Sequence, residues 1–184
     1  MTEARASGPP TPEQMRHVLG HFATGVTVVT GLAGDGDPVG FACQSFTSVS
    51  LDPPLVLFCA DHAGRSWPRM RDTGTFCVNI LRHAQQELVD RFGSRTGSRF
   101  EGLDWHLSAH GAPALPDVLA RVHCAVENVH VSGDHDVVVG RVVDLELVQP
   151  GRPLLFYRGR FAVTERLRSS AQPEVTGGWD DFWG

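Results

Sequence analysis

The stretch Phe41–Ser50, FACQSFTSVS, gathers the side chains best suited to handling a polar ligand. Gln44, Ser45, Thr47, Ser48 and Ser50 place an amide and hydroxyls between two apolar runs. A plain core strand is a poor home for them, because each buried polar group must find a partner. Two readings stand together: an edge or solvent-facing strand carrying Ser and Thr, or a strand whose hydroxyls and backbone line a ligand. Spacing alone does not separate them. All sixteen basic residues are arginines, since the chain contains no lysine. That rules out a lysine Schiff base and a P-loop. Any phosphate would be held by Arg, whose planar fork grips its oxygens bidentately, with hydroxyls and backbone N–H groups beside it.

Other chemistries find no support. GLAGDG (Gly31–Gly36) has the wrong order for a dinucleotide fingerprint and leads into a β-like run, so it is a turn. There is no G-x-S-x-G elbow for a hydrolase and no H-E-x-x-H for a metal, so no metal site is assigned. Cys43, Cys59, Cys77 and Cys124 are widely spaced without a C-x-x-C, and read as small buried hydrophobes in a reducing compartment.

Length and composition set the frame that must position such residues. At 184 residues and 41% hydrophobic content the chain holds one domain with a real core. A formal charge of −5 and no basic block argue against nucleic acid or an anionic membrane as partner. The N-terminus lacks an apolar signal-like region and no run reaches membrane-span length, so a cytoplasmic location is expected.

Residues 1–10 read as a disordered lead, 11–165 as the domain and 166–184 as a tail carrying Trp179, Phe182 and Trp183. Thr11, Pro12 and Gln14 form an N-cap, N1 and capping-box set. Met15, Val18, Leu19 and Phe22 then follow at helical spacing as one apolar face. Val26–Gly31, Phe46–Leu51, Leu55–Ala60 and Thr75–Leu81 are strand candidates. Short helices are expected within Arg65–Arg71 and His83–Phe92, then a long loop over 93–118. Ala120, Val122, Cys124 and Val126 alternate with Arg121, His123, Ala125 and Glu127 as a half-buried strand. Asp136–Leu147 and Pro153–Thr164 are two further long strands. Mostly antiparallel strands with few helices predict a mainly β protein, a closed barrel with peripheral helices.

The motifs GHFATGVTVVT (Gly20–Thr30), PVGFACQSFTSVSLDPPLVLFC (Pro38–Cys59), FCVNIL (Phe76–Leu81), GDH (Gly133–His135) and PLLFYRGRF (Pro153–Phe161) follow one another in order. Together they resemble the flavin reductase-like family of short-chain NAD(P)H:flavin oxidoreductases, over about Gln14 to Thr164. The resemblance implies an FMN-binding split barrel, a homodimer, and hydride transfer from NADH or NADPH to FMN or FAD. Reduced flavin would then pass to a separate flavin-dependent oxygenase.

It places the flavin along Pro38, Val39, Gly40, Phe41, Ala42, Gln44 and Ser45. A second strip is Cys59, Ala60 and Asp61, and Arg65 and Ser66 lie near the phosphate. Many family members have T-A-N-S-F where this chain has Ala42-Cys43-Gln44-Ser45-Phe46. His135 of GDH is placed beside the nicotinamide as the catalytic candidate. Arg91 and Phe92 are placed at the pyridine nucleotide, with Tyr157 and Arg158 near the same site. Two alternatives use the same architecture: a flavin-binding protein without reductase turnover, and an oxidase of pyridoxamine phosphate type, for which clustered arginines are few.

Overall fold

The computed structural model describes residues 8–164, so the lead before Gly8 and the tail expected over 166–184 lie outside the described residues. Helix α1 (Pro12–Leu19) starts on the expected cap: Gln14 N–H donates to Thr11 Oγ1 at 3.2 Å and Thr11 N–H to Gln14 Oε1 at 2.9 Å. Its apolar face packs on nothing described. Val18, Leu19 and Phe22 are 65%, 59% and 76% exposed.

Strands β1 (Thr24–Gly25), β2 (Thr27–Leu32), β3 (Pro38–Cys43), β4 (Thr47–Leu51) and β5 (Pro54–Asp61) follow. Next come α2 (Trp67–Met70), β6 (Thr75–Ile80) and α3 (Gln86–Gly93), the last beginning three residues later than the sequence suggests. The expected loop over 93–118 contains a small hairpin, β7 (His106–Leu107) with β8 (Pro113–Ala114). Strands β9 (Ala120–Ser132) and β10 (His135–Leu147) form the longest hairpin, turning at Gly133-Asp134, where Gly133 takes φ 65°. The single strand expected over Pro153–Thr164 is two, β11 (Leu154–Tyr157) and β12 (Arg160–Val163). They are divided by Arg158-Gly159, both at positive φ.

Seven antiparallel strands make the main sheet in the order β3-β2-β6-β9-β10-β5-β4, and β1-β11-β12 form a second sheet. The closed barrel expected from the strand pattern is not formed: among the described residues β3 and β4 end the main sheet as unpaired edges. The chain crosses from one edge to the other through Gln44–Phe46. There Ser45 Oγ accepts from Cys59 N–H at 2.8 Å and donates to Cys59 O at 3.3 Å, standing in for a strand neighbour. The result is a mainly β split barrel.

Phe58, fully buried, anchors the interior with edge-on contacts to Phe41, Trp67 and Phe76 at centroid distances of 5.8, 5.6 and 5.1 Å. Burying a ring of this size contributes roughly 2–3 kcal/mol. A second cluster of Val26, Val28, Leu81, Phe92, Leu115 and Leu154 packs the outer face of β2 under α3.

The polar side of β9 is not solvated as the alternation implies. Arg121 and His123 are 7% and 0% exposed. Residues 106–115 cover them, pinned by Leu115 N–H to Asn79 Oδ1 at 3.0 Å and by Thr30 Oγ1 to Pro113 O. Of the four cysteines, Cys43, Cys77 and Cys124 are buried as expected, while Cys59 is only partly so. Burial pushes the Cys77 and Cys124 thiols up to about 12. No described helix is long and apolar enough to cross a membrane.

Candidate functional site

Three adjoining recesses with shared walls form one groove along β3. The central recess, about 520 Å³, is bounded by Phe41, Ala42, Ala60, Asp61, Arg65, Ser66, Phe92 and Arg99. At one end Phe41–Ser45, Cys59, Asp61 and His135 continue it. At the other, Pro38, Val39 and Gly40 face Arg65, Ser66 and Arg99 across a recess of about 590 Å³.

The local sequence explains how closely α3 packs on β3 beside the groove. Gly40 lies beneath the Phe92 ring: a Cβ on it would stand 2.9 Å from Phe92 Cε1 and 2.9 Å from Val29 O. Only glycine lets β3 run this close under α3. Among the described residues the β3 edge has no strand partner, so apart from Gly40 O, which Ser66 and Arg99 occupy, its backbone is left to meet a ligand.

The arginine end is built from three distant segments. Ser66, 5% exposed, donates to Gly40 O at 2.6 Å, and Arg99 Nη1 donates to the same oxygen at 2.6 Å. Arg99 also donates to Ser66 Oγ and, through Nη2, to Ser94 O at 2.6 Å. Its Nε is buried and has no partner. Burial and the like charge of Arg65 together lower the Arg99 pKa. Among the described residues no carboxylate forms an ion pair with either guanidinium. Two neighbouring cations without a counter-ion, one carrying an orphaned buried N–H, fit an anionic group such as a phosphate.

At the opposite end, His135 opens β10 opposite Asp61 on β5. Its Nδ1 lies 2.7 Å from Asp134 Oδ1, which leaves Nε2 as the nitrogen available to a ligand. Hydrogen bonding from His135 holds the exposed Asp134 carboxyl below its usual range.

The structure therefore brings together Pro38, Val39, Gly40, Phe41, Ala42, Gln44, Ser45, Cys59, Ala60, Asp61, Arg65, Ser66, Phe92 and His135. Two of the hydroxyls are already engaged, Ser45 with Cys59 and Ser66 with Gly40. Three expected residues stand outside the groove. Arg91 donates to Glu101 O at 2.9 Å and fastens α3 to the following loop. Tyr157 meets His21 edge-on at 6.4 Å, and Arg158 borders a separate cleft with Arg16, His17 and Gly20. Arg99 was not singled out from sequence. Its one local signal is an arginine in a Gly/Ser-rich loop, Gly97-Ser98-Arg99, and only the fold carries it to Gly40.

A second polar cluster lies on β9 and β10. Glu146 accepts from Arg121 Nη1 at 2.6 Å and stands 2.8 Å from His123 Nε2. Burial pushes the Glu146 carboxyl up, but Arg121 and His123 outweigh it and the net shift is downward. The histidine pairs four residues apart, His17/His21 and His106/His110, gain no third ligand. Among the described residues no group of three His, Cys, Asp or Glu is placed to hold a metal.

An open-seamed split barrel with a groove along β3 that ends in an arginine pair fits a flavin-binding class of protein. Residues 19–165 match the model of the flavin reductase like domain. The chain is 51% identical to the reductase subunit HsaB of a flavin-dependent monooxygenase from Rhodococcus jostii RHA1, covering 88% of this chain and 83% of the relative.

Its structure superposes on nitrilotriacetate monooxygenase component B of Mycobacterium thermoresistibile with a TM-score of 0.82 and 48% identity, over 87% and 90% of the two chains. The NADH:FAD oxidoreductase of Streptomyces globisporus C-1027 gives a TM-score of 0.81 at 34% identity, over 89% and 98%. The chain belongs to the flavin reductase-like family, and it is a flavin reductase.

Proposed function

We propose that this reductase binds its flavin along β3, with the ring over Gly40–Ala42 and the phosphate at Arg65 and Arg99. The observation that carries this reading is the uncompensated arginine pair at one end of a groove whose floor admits no Cβ. Held there, a flavin would supply the acceptor for a hydride from C4 of the nicotinamide of NADH or NADPH.

The chain's own groups position and screen. Arg65 and Arg99 supply the positive charge for the phosphate, with Arg99 held in place by Gly40, Ser66 and Ser94. Phe41 and Phe92 give the central recess apolar walls for the ring to lie against. Backbone N–H groups on the free side of β3 stabilise negative charge on the ring. His135, steadied at Nδ1 by Asp134, presents Nε2 to the nicotinamide and orients it. No protein nucleophile is needed.

The groove is open to solvent along its length, which suits a flavin that exchanges rather than one held permanently. The product is then free to reach a separate oxygenase; the Rhodococcus relative is named as the reductase subunit of a flavin-dependent monooxygenase. FMN and FAD are both accommodated by this reading. A homodimer in the cytoplasm is the assembly we favour. The uncovered apolar face of α1 and the stripe Val143, Leu145, Leu147 (48%, 68% and 96% exposed) support it.

The test is direct. Purified chain is mixed anaerobically with FMN or FAD, and NADH or NADPH is added. Loss of the visible flavin absorbance at a rate proportional to enzyme is expected, and its absence with all four pairs defeats the reading. Light scattering on the same sample reports the dimer.

A further inference from the structure

The loop carrying Arg65 and Ser66 is fastened at both ends to one buried carboxylate. Residues 62–66 leave β5 after Asp61 and enter α2 at Trp67. At the near end His62 Nε2 lies 2.8 Å from Asp136 Oδ1, and at the far end Trp67 Nε1 donates to Asp136 Oδ2 at 2.8 Å. Each carboxylate oxygen therefore serves one end of the loop. The main chain adds a tie, His62 N–H to Asp134 O at 3.0 Å. Within the loop, Ala63 N–H and Gly64 N–H bond back to Asp61, at 2.8 and 3.0 Å, and shape only its first turn.

Asp136 stands opposite Ala60 and follows His135, so it points to the barrel side of β10 while His135 borders the groove. Its side chain is 4% exposed, against 40% for His62. A buried carboxylate is costly unless fully bonded, and an apolar side chain would fill this place more cheaply. What the carboxylate adds is direction: it fixes two donors at once, on either side of the arginine loop. Asparagine would match both only with the imidazole in one tautomer.

We infer that Asp136 is a positioning residue for the phosphate end of the groove. Through His62 and Trp67 it sets where Arg65 and Ser66 stand, and so how sharply the groove distinguishes a phosphorylated flavin from riboflavin. The inference rests on the reading that the Arg65–Arg99 end receives the flavin phosphate. Preorganised loops bind more tightly because less ordering is left to the moment of binding.

The ratio of riboflavin Kd to FMN Kd, read from flavin fluorescence on the whole chain, isolates phosphate recognition from ring recognition. Arg65→Ala sets the scale, with an expected fall in the ratio of about 10-fold or more. Asp136→Ala risks the fold, so the decisive variants are His62→Ala and Trp67→Phe, which delete one donor each and keep the carboxylate. Each should lower the ratio roughly 3- to 10-fold, and the double variant further. An unchanged ratio in both variants, with Arg65→Ala responding, overturns the clamp while leaving the phosphate site standing. An unchanged ratio in Arg65→Ala and Arg99→Ala as well means the phosphate binds elsewhere, and both readings fall.

Discussion

Ser66 Oγ donates to the Gly40 carbonyl oxygen at 2.6 Å, pinning the start of α2 to the edge strand β3. Arg99 Nη1 reaches the same oxygen. One backbone carbonyl thus joins three parts of the chain and holds Arg99, together with Ser66 next to Arg65, beside the groove. A hydrogen bond from a charged donor is worth about 1.5–3 kcal/mol, so this junction has weight in both folding and binding.

Arg99→Ala should weaken FMN binding by roughly 10- to 100-fold. Arg99→Lys recovers only part, because an ammonium cannot span Gly40, Ser66 and Ser94 as the planar fork does. Titration calorimetry with FMN for the three proteins checks the order.

Gly40→Ala forces a methyl to within 2.9 Å of both the Phe92 ring and Val29 O. A cost of about 1–3 kcal/mol is expected. Chemical denaturation should show the loss, and Phe92→Leu in the same chain should return part of it by yielding space.

His135→Ala should raise the NADH KM about 5- to 10-fold or lower kcat similarly, with FMN affinity changed less than about twofold. Steady-state kinetics and a fluorescence titration together decide it. Collapse of flavin binding would place His135 against the flavin instead.

Glu146 supplies a pH dependence whose sign follows from its depressed folded pKa. Its contribution to stability is complete above the ordinary value of 4.5 and is lost as pH falls through the lower folded value. Glu146→Gln should therefore destabilise the protein most near neutrality, and the gap to wild type should shrink in acid. Urea unfolding at about pH 7 and about pH 3 measures it.

Local chemistry made much of the fold legible. The Thr11–Gln14 cap, the turn at Gly133-Asp134 and the strands around Pro53-Pro54 are each written within a few residues. What escaped depends on contacts between remote segments. The polar side of β9 reads as solvated until residues 106–115 fold over His123, and nothing near His123 announces that cover. The division of β11 from β12 rests on Arg158 and Gly159 both taking positive φ: Gly159 is the one local sign of the turn, and arginine hides the other half. In the groove, the ordered motifs led to Gly40, Phe41, Ala42 and Arg65. Arg99, 59 residues beyond Gly40, becomes visible only through topology.

The open seam between β3 and β4 bears on the longevity of the protein. An unpaired strand edge is a template for pairing with another chain, and short, interrupted edges blunt that hazard only partly. With the flavin bound along β3 as proposed, its departure would bare this seam. A preparation stripped of flavin is therefore expected to clump faster on storage than the flavin-loaded protein.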